Sequence, residues 1–176
     1  RMASTPGPLG LAPEVSALFF TSANGVEAFA ALGGPVDRPA FCVGSRTDEA
    51  AHLAGFRTVH DSCGTVADLV GAVRSAGVRH VFYARGRNVS QDLVRVLGDA
   101  GIRVDDRIVY EAVPAGPPDP EVAAHLAAGK ITVVTVWSRR NAQLLADYAA
   151  AEPAWRFART IVLAISPAAA EPLGRL

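Results

Sequence analysis

One local pattern recurs along this chain and restricts it to few architectures: a short apolar run, a turn carrying Ser, Thr or Gly, then a helix with an apolar stripe. Ala17–Thr21 (ALFFT) predicts a strand, and Ser22-Ala23-Asn24-Gly25 turns into a helix. Asn24 and Glu27 have the spacing of a capping box there, with Val26, Phe29 and Ala30 as the buried stripe. Phe41–Val43 is the next strand, and Ser45 with Asp48 repeats the spacing for a helix ending near Gly55. Arg57–His60 follows as a short strand. Thr65 with Asp68 opens a third helix, carrying Leu69, Val70 and Val73 and closed by Gly77.

Residues 81–114 are the centre of this organisation. Val81–Ala84 is an apolar strand, Arg85-Gly86-Arg87 a turn, and Ser90 a cap for a helix with Leu93, Val94, Val96 and Leu97 on one face. Gly98 and Gly101 close that helix. The next strand, Ile102–Val113, runs to Pro114 and Gly116-Pro117-Pro118, which break regular structure. That strand leaves one compact unit and enters another, and Tyr110 sits on the crossing. Beyond it, Glu121–Ala128 reads as a helix, and Ile131–Val136 as a strand buried on both faces. Ser138 opens a helix with Leu144, Leu145 and Tyr148, Thr160–Ile165 is a second buried strand, and Ser166-Pro167 starts a last helix in the favoured cap-then-Pro order.

Strands alternating with helices at this spacing predict an α/β fold with parallel sheets, whose ligands bind at the carboxyl ends of the strands. The order strand, Ser, helix occurs at 17–55 and again at 131–176, which suggests two related halves. Arg1–Pro13 is rich in Pro and Gly and reads as an extended connection. An opening of that kind raises the expectation that elements before it are absent from the chain.

Each turn directs backbone N–H groups and a hydroxyl toward a helix N-terminus, where the dipole favours an anion. The candidate binding set is Ser22, Asn24, Thr47, Gly86, Ser138 and Ser166. Together on one edge of facing sheets they would hold several carboxylates without a Lys/Arg cluster.

Charge supports that reading. Lys and Arg together number 17, as do Asp and Glu, with Lys130 the single lysine, and the arginines are scattered. A nucleic-acid partner is therefore disfavoured. No apolar run approaches a membrane span, and the first fifteen residues lack a signal-peptide core, so a cytoplasmic protein is expected. Cys42 and Cys63 form no CxxC, and Cys42 reads as a buried strand residue. His52, His60, His80 and His125 stand singly, so no metal site is predicted. No GxGxxG follows a strand, Gly129-Lys130 lacks the upstream Gly of a phosphate loop, and neither GxSxG nor HExxH occurs. What remains is a cleft without a cofactor.

Taken in order, FTSANGVEAF (20–29), VGSRTDEAAHLAGF (43–56), the strand–Gly–helix with terminal VY of 81–110, VWSRRNAQLLADY (136–148) and AISPAAAEPL (164–173) resemble the uroporphyrinogen-III synthase family. The resemblance runs from about Ala17 to Leu173. It implies two parallel-sheet α/β domains joined by a two-stranded linker: 1–13 linker, 14–107 an inserted domain, 108–116 a linker strand, 117–176 part of the other domain. In the family that other domain is completed by elements upstream and downstream, so it is expected to be incomplete at both chain ends here.

The implied activity is that of a hydro-lyase needing no cofactor. It closes the linear tetrapyrrole hydroxymethylbilane to uroporphyrinogen III, through loss of the ring A hydroxyl, attack through the substituted carbon of ring D, a spiro intermediate and reclosure with ring D inverted. A monomer with this small-molecule substrate is expected. Thr47 falls on the threonine of the family's VGxxT motif and Tyr110 on its linker tyrosine, while Asn24 stands where some members carry Arg. The phenol of Tyr110 would donate a proton to the departing hydroxyl, hydrogen-bond a carboxylate, or only pack between domains. Where the family often reads Gly-Pro-Thr-Thr-Ala, this chain has Ser166-Pro167-Ala168-Ala169-Ala170. That departure leaves open a non-catalytic two-domain protein binding a tetrapyrrole or other polyanion, and, further off, a nucleotide- or sugar-binding α/β domain.

Overall fold

The computed structural model describes residues 1–61, 65–89 and 92–174. They form two compact units, Arg1–Val113 and Pro114–Leu176.

The first unit is built on a six-stranded sheet. In chain order its elements are β1 (Met2–Ser4), β2 (Ala17–Phe20), α1 (Ala23–Ala31), β3 (Ala40–Cys42), α2 (Ser45–Leu53), β4 (Val59–Asp61), α3 (Val66–Ser75), β5 (His80–Gly86), α4 (Leu93–Asp99) and β6 (Arg103–Ala112). The spatial order is β1-β6-β5-β2-β3-β4. β2 to β6 are mutually parallel, and β1 alone runs antiparallel, with Met2 opposite Ala112 and Ser4 opposite Tyr110. The chain steps from β2 outward to β3 and β4, then returns across β2 to β5 and β6. Right-handed crossovers therefore put α1 and α2 on one face and α3 and α4 on the other.

Strand alternation divides the core accordingly. Leu18, Phe20, Ala40, Cys42, Phe82 and Ala84 face α1 and α2 together with Val26, Phe29 and Phe56. Ala17, Phe19, Phe41, Val81 and Tyr83 face Leu69, Val73, Leu93 and Leu97. On the first face Phe29 packs against Phe20, Phe56 and Phe82 at ring separations of 5.5, 6.4 and 6.0 Å. Each buried phenylalanine contributes up to about 3 kcal/mol by loss of water contact.

Helix starts refine the expectations from sequence. Ser22, in extended conformation, caps α1 and accepts the Gly25 N–H at 3.2 Å, so Asn24 is the second helical residue and not the cap. Thr65 caps α3 as expected, accepting from Asp68 N–H at 3.2 Å. Ser45 lies inside α2, whose cap is Gly44; its φ of +82° turns the chain so that its carbonyl accepts from Thr47 and Asp48. Ser90 lies outside the described residues, as does Cys63, and α4 is capped by Asp92 through the Arg95 N–H. Gly86 belongs to the end of β5 rather than to a turn.

The second unit contains α5 (Pro120–Ala127), β7 (Val133–Val136), α6 (Arg139–Ala151), β8 (Ile161–Ala164), α7 (Pro167–Ala170) and a 3-10 turn at Glu171–Leu173. β7 and β8 form a parallel pair, Val133 opposite Ile161 and Val136 opposite Ala164. Val134, Val136, Val162 and Ala164 pack with Ala142, Leu145 and Leu173. The expectation of strands buried on both faces does not hold. Alternate residues Val133, Ile161 and Leu163 point away from that core and are exposed, as are the flanking Trp137 (69%) and Ile165 (64%). Two runs of continuous apolar residues thus conceal a one-sided sheet.

A Cβ on Gly25 would lie 2.9 Å from the Ala84 carbonyl oxygen, so Gly25→Ala pushes α1 off β5, whereas nothing lies within 4 Å of one on Gly71 in mid α3. Denaturant unfolding should show Gly25→Ala less stable by about 1–3 kcal/mol and Gly71→Ala more stable by up to about 1 kcal/mol. Burial, reinforced by the charges of Asp48 and Asp61, pushes the Cys42 thiol up to about 12. In a Cys63→Ser background at pH 8, iodoacetamide should leave native Cys42 unmodified and alkylate it only after denaturation.

Candidate active site

At the β2/β5 boundary the chain departs to opposite faces of the sheet, α1 from β2 and α4 from β5. This is the crevice where doubly wound sheets hold ligands. A pocket of about 280 Å³ opens there, lined by Thr21, Ser22, Val43, Val66, Tyr83, Gly86, Asn88, Val89, Leu93 and Tyr110.

Tyr110 comes from β6 and reaches Ser22 Oγ at 2.8 Å across 88 residues of sequence. Two local features put it there. A register shift between Arg85 and Gly86 pairs Gly86 with Tyr110, while Arg85 pairs with Ile108, so Val109 is the extra residue on β6. Val109 is then fully buried in the core, and Tyr110 turns toward α1. Gly86 leaves room for the ring: a Cβ there would sit 2.7 Å from Tyr110 Cζ and 2.9 Å from its hydroxyl. Ser22 thus serves twice, as acceptor for the Gly25 N–H and as partner of the phenol.

A second phenol lies at the same edge, and sequence reading misses it. Tyr83 Oη pairs with Thr21 Oγ1 at 3.0 Å. Burial raises the Tyr83 phenol above its ordinary range, against the lowering effects of the Thr21 hydrogen bond and the nearby Arg85 charge, so it stays protonated and can donate. The signal available in the sequence is the Tyr at the fourth position of HVFY, two positions before the expected turn at Arg85, but its partner is 62 residues away. The cations nearby are paired, Arg85 with Asp106 and Arg87 with Glu111, each at 2.5 Å.

Of the sequence-predicted set, Ser22, Gly86 and Tyr110 come together in this pocket. Asn24 lies instead in a smaller concavity with Ser4, Glu27 and the other side of Tyr110. Thr47 is buried (4% exposed) in the first turn of α2 and does not line the pocket. Ser138 and Ser166 belong to the second unit, where each caps the helix that follows its strand, accepting from Asn141 N–H and Ala169 N–H. Because β7 and β8 are in register, both caps lie on the carboxyl edge of that sheet. The larger groove of the second unit, about 610 Å³, is a poorer candidate for a polycarboxylate, since its cation Arg139 is paired with Glu171 at 2.9 Å and the Gln143 amide donates to the carboxylate of Asp147 at 2.8 Å. Among the described residues no three His, Cys, Asp or Glu side chains come together in a way that could hold a metal ion, and no helix is long and apolar enough to cross a membrane.

The crystal structure of uroporphyrinogen-III synthetase from Helicobacter pylori 26695 resembles the chain with a TM-score of 0.70 at 18% identity, over 98% of this chain and 78% of that one. A mutant uroporphyrinogen III synthase from the extremely thermophilic bacterium Thermus thermophilus resembles it with a TM-score of 0.50 at 19% identity, over 98% and 76%. At these identities the likeness speaks to the mixed α/β fold with a mostly parallel sheet. No curated protein matches the chain. The family model described as HEM4, Uroporphyrinogen-III synthase HemD, matches residues 5–176. Since that match takes in nearly the whole sequence, the chain belongs to the uroporphyrinogen-III synthase family of cofactor-free cyclising lyases.

Proposed function

We propose that the switch-point pocket is where this chain performs the family's reaction, closing hydroxymethylbilane to uroporphyrinogen III with ring D inverted and water lost, and that Tyr110 is its catalytic residue. The observation that carries this reading is the Tyr110 phenol, held at 2.8 Å from Ser22 Oγ over a bare Gly86. With Ser22 donating to the phenol oxygen, the phenol proton is free to pass to the ring A hydroxyl as the pyrrole expels it. The C–O bond breaks, water departs, and the carbocation is quenched through the substituted carbon of ring D. Loss of a proton from ring D after reclosure restores the phenol, so the net change is the loss of one water. An electron-rich pyrrole needs little chemical help, and the larger demand is folding the substrate so that direct closure is excluded, which is catalysis by positioning.

The substrate's carboxylates suit backbone N–H groups at helix starts. Ser22 and Gly86 would bind it in the pocket itself, Asn24 at the neighbouring concavity and Thr47 through the first turn of α2, while Ser138 and Ser166 offer helix starts of the same kind in the second unit. Residues 14–107 act as one domain and 117–176 as part of the other, with 1–13 and 108–116 as a two-stranded linker. The antiparallel pairing of Met2–Ser4 with Tyr110–Ala112 supports the linker reading. The protein works as a cytoplasmic monomer on this small-molecule substrate. The non-catalytic alternative is not favoured by the family match, and Ser166 still caps its helix despite Ala168 and Ala169.

The test is an isomer-resolved assay of the product from hydroxymethylbilane. The type III isomer should dominate without added metal, nucleotide or flavin, and accumulation of only the type I isomer at the uncatalysed rate would overturn the proposal. Tyr110→Phe, with an unchanged melting transition, should lower kcat by about 10-fold, and a kcat equal to the parent's would remove the phenol from the chemistry. Gly86→Ala should displace the ring and lower kcat/KM by at least about 10-fold.

A further inference from the structure

Thr21 and Ser22 are successive residues leaving β2, so their side chains pass to opposite faces of the sheet. Each meets a phenol. Ser22 meets Tyr110 on the α1 face, and Thr21 meets Tyr83 on the α3/α4 face. The second pair has no place in the chemistry above. Building on the pocket assignment above, we propose that Tyr83 is a positioning residue: it donates to Thr21 Oγ1 and so turns the Thr21 hydroxyl proton into the pocket, where it is given to a carboxylate of the tetrapyrrole substrate.

Tyr83 is held where such a task requires. It is 2% exposed, with its ring edge-on to Phe19 at 5.6 Å and packed among Ala17, Leu69 and Leu93. Two adjoining hydroxyls share protons in one of two senses; in the opposite sense to the Ser22–Tyr110 pair, the Tyr83 phenol, enclosed by apolar side chains, places its proton on Thr21 Oγ1. Its burial keeps that proton bound. Thr21 is only half-buried and lines the pocket, so its own proton is left for a ligand. Among the described residues the wall beside Thr21 includes the aliphatic side chains of Val43, Val66 and Leu93. An anion resting against such a wall loses water and depends strongly on each donor aimed at it. Thr21 supplies that donor, and Tyr83 sets its direction.

The experiment compares the parent with Tyr83→Phe, Thr21→Val and the double variant. It reads kcat and KM for hydroxymethylbilane, the Kd for uroporphyrin III by equilibrium dialysis, and the melting transition. Tyr83→Phe should raise KM and Kd by about 5–10-fold, the effect of one neutral hydrogen bond, with kcat within about twofold and melting unchanged. Thr21→Val should cost at least as much, and adding Tyr83→Phe to it should cost nothing more, because the phenol acts through Thr21. Unchanged KM and Kd, a loss confined to kcat, or additive losses would each overturn the proposal. Thr21→Val keeps the side-chain shape, so it supplies the test if Tyr83→Phe melts early: KM and Kd equal to the parent's would then count against it. A parent that makes no type III isomer, yet loses uroporphyrin III affinity on Tyr83→Phe, sinks the catalytic reading and leaves this one standing. Full parental turnover with indifferent Tyr83 and Thr21 variants does the reverse.

Discussion

The hydrogen bond between Tyr110 and Ser22 depends on a glycine having no side chain. The Tyr110 ring lies over Gly86 at a distance that a Cβ would occupy, and only the register shift in β5 and β6 presents the tyrosine there. Three elements meet at this point: the cap of α1, the end of β5 and strand β6. Overpacking at Gly86 would push the ring off the strand, and with it the contact that closes the pocket on the α1 side. Structure and proposed chemistry thus rest on the same few atoms.

The topology gives that contact its setting. A chain that winds outward from β2 and then returns past it leaves a crevice between β2 and β5, and two successive hydroxyl residues emerge from β2 into it. Each finds a phenol from a strand on the return half, Tyr83 from β5 and Tyr110 from β6. The neighbouring cations are engaged with Asp106 and Glu111, so the pocket meets a ligand with neutral donors in place of free charge. Such a surface suits a polycarboxylate that must be bound, refolded and released. Cys42 illustrates the opposite case, a reactive group kept inert by burial.

Much of this is legible in the sequence, for reasons that differ residue by residue. Continuous apolar runs such as ALFF and the hydroxyl-bearing turns after them are local signals, and Ser138 and Ser166 do cap α6 and α7, while Ser22 takes the α1 cap from Asn24. Gly86 is found for the wrong reason. A glycine after a strand reads as a turn, whereas here it extends the strand and makes room for a ring, which only the register with β6 discloses. Ser45 and Asn24 are misassigned because the positive φ of Gly44 and the extended φ of Ser22 compete with capping-box spacing, and spacing alone cannot rank them. Tyr83 is invisible because a tyrosine in an apolar strand looks like core, and its hydroxyl partner is fixed by tertiary geometry. ITVVTV and TIVLAI look buried throughout because continuous apolarity hides the alternation that exposes Val133, Ile161 and Leu163.

Occupancy of the β2/β5 pocket by a tetrapyrrole polycarboxylate, between the two phenols, is open to direct measurement. The chain has three tyrosines, and Tyr148 in the second unit, hydrogen-bonded to the Gly116 carbonyl at 2.8 Å, serves as an independent reporter. NMR of ring-labelled tyrosine during titration with uroporphyrin III, with resonances assigned by Tyr→Phe variants, reads all three. The Tyr110 and Tyr83 ring signals should shift together and saturate at one Kd. Saturable binding that leaves both signals unmoved would contradict a ligand in this pocket.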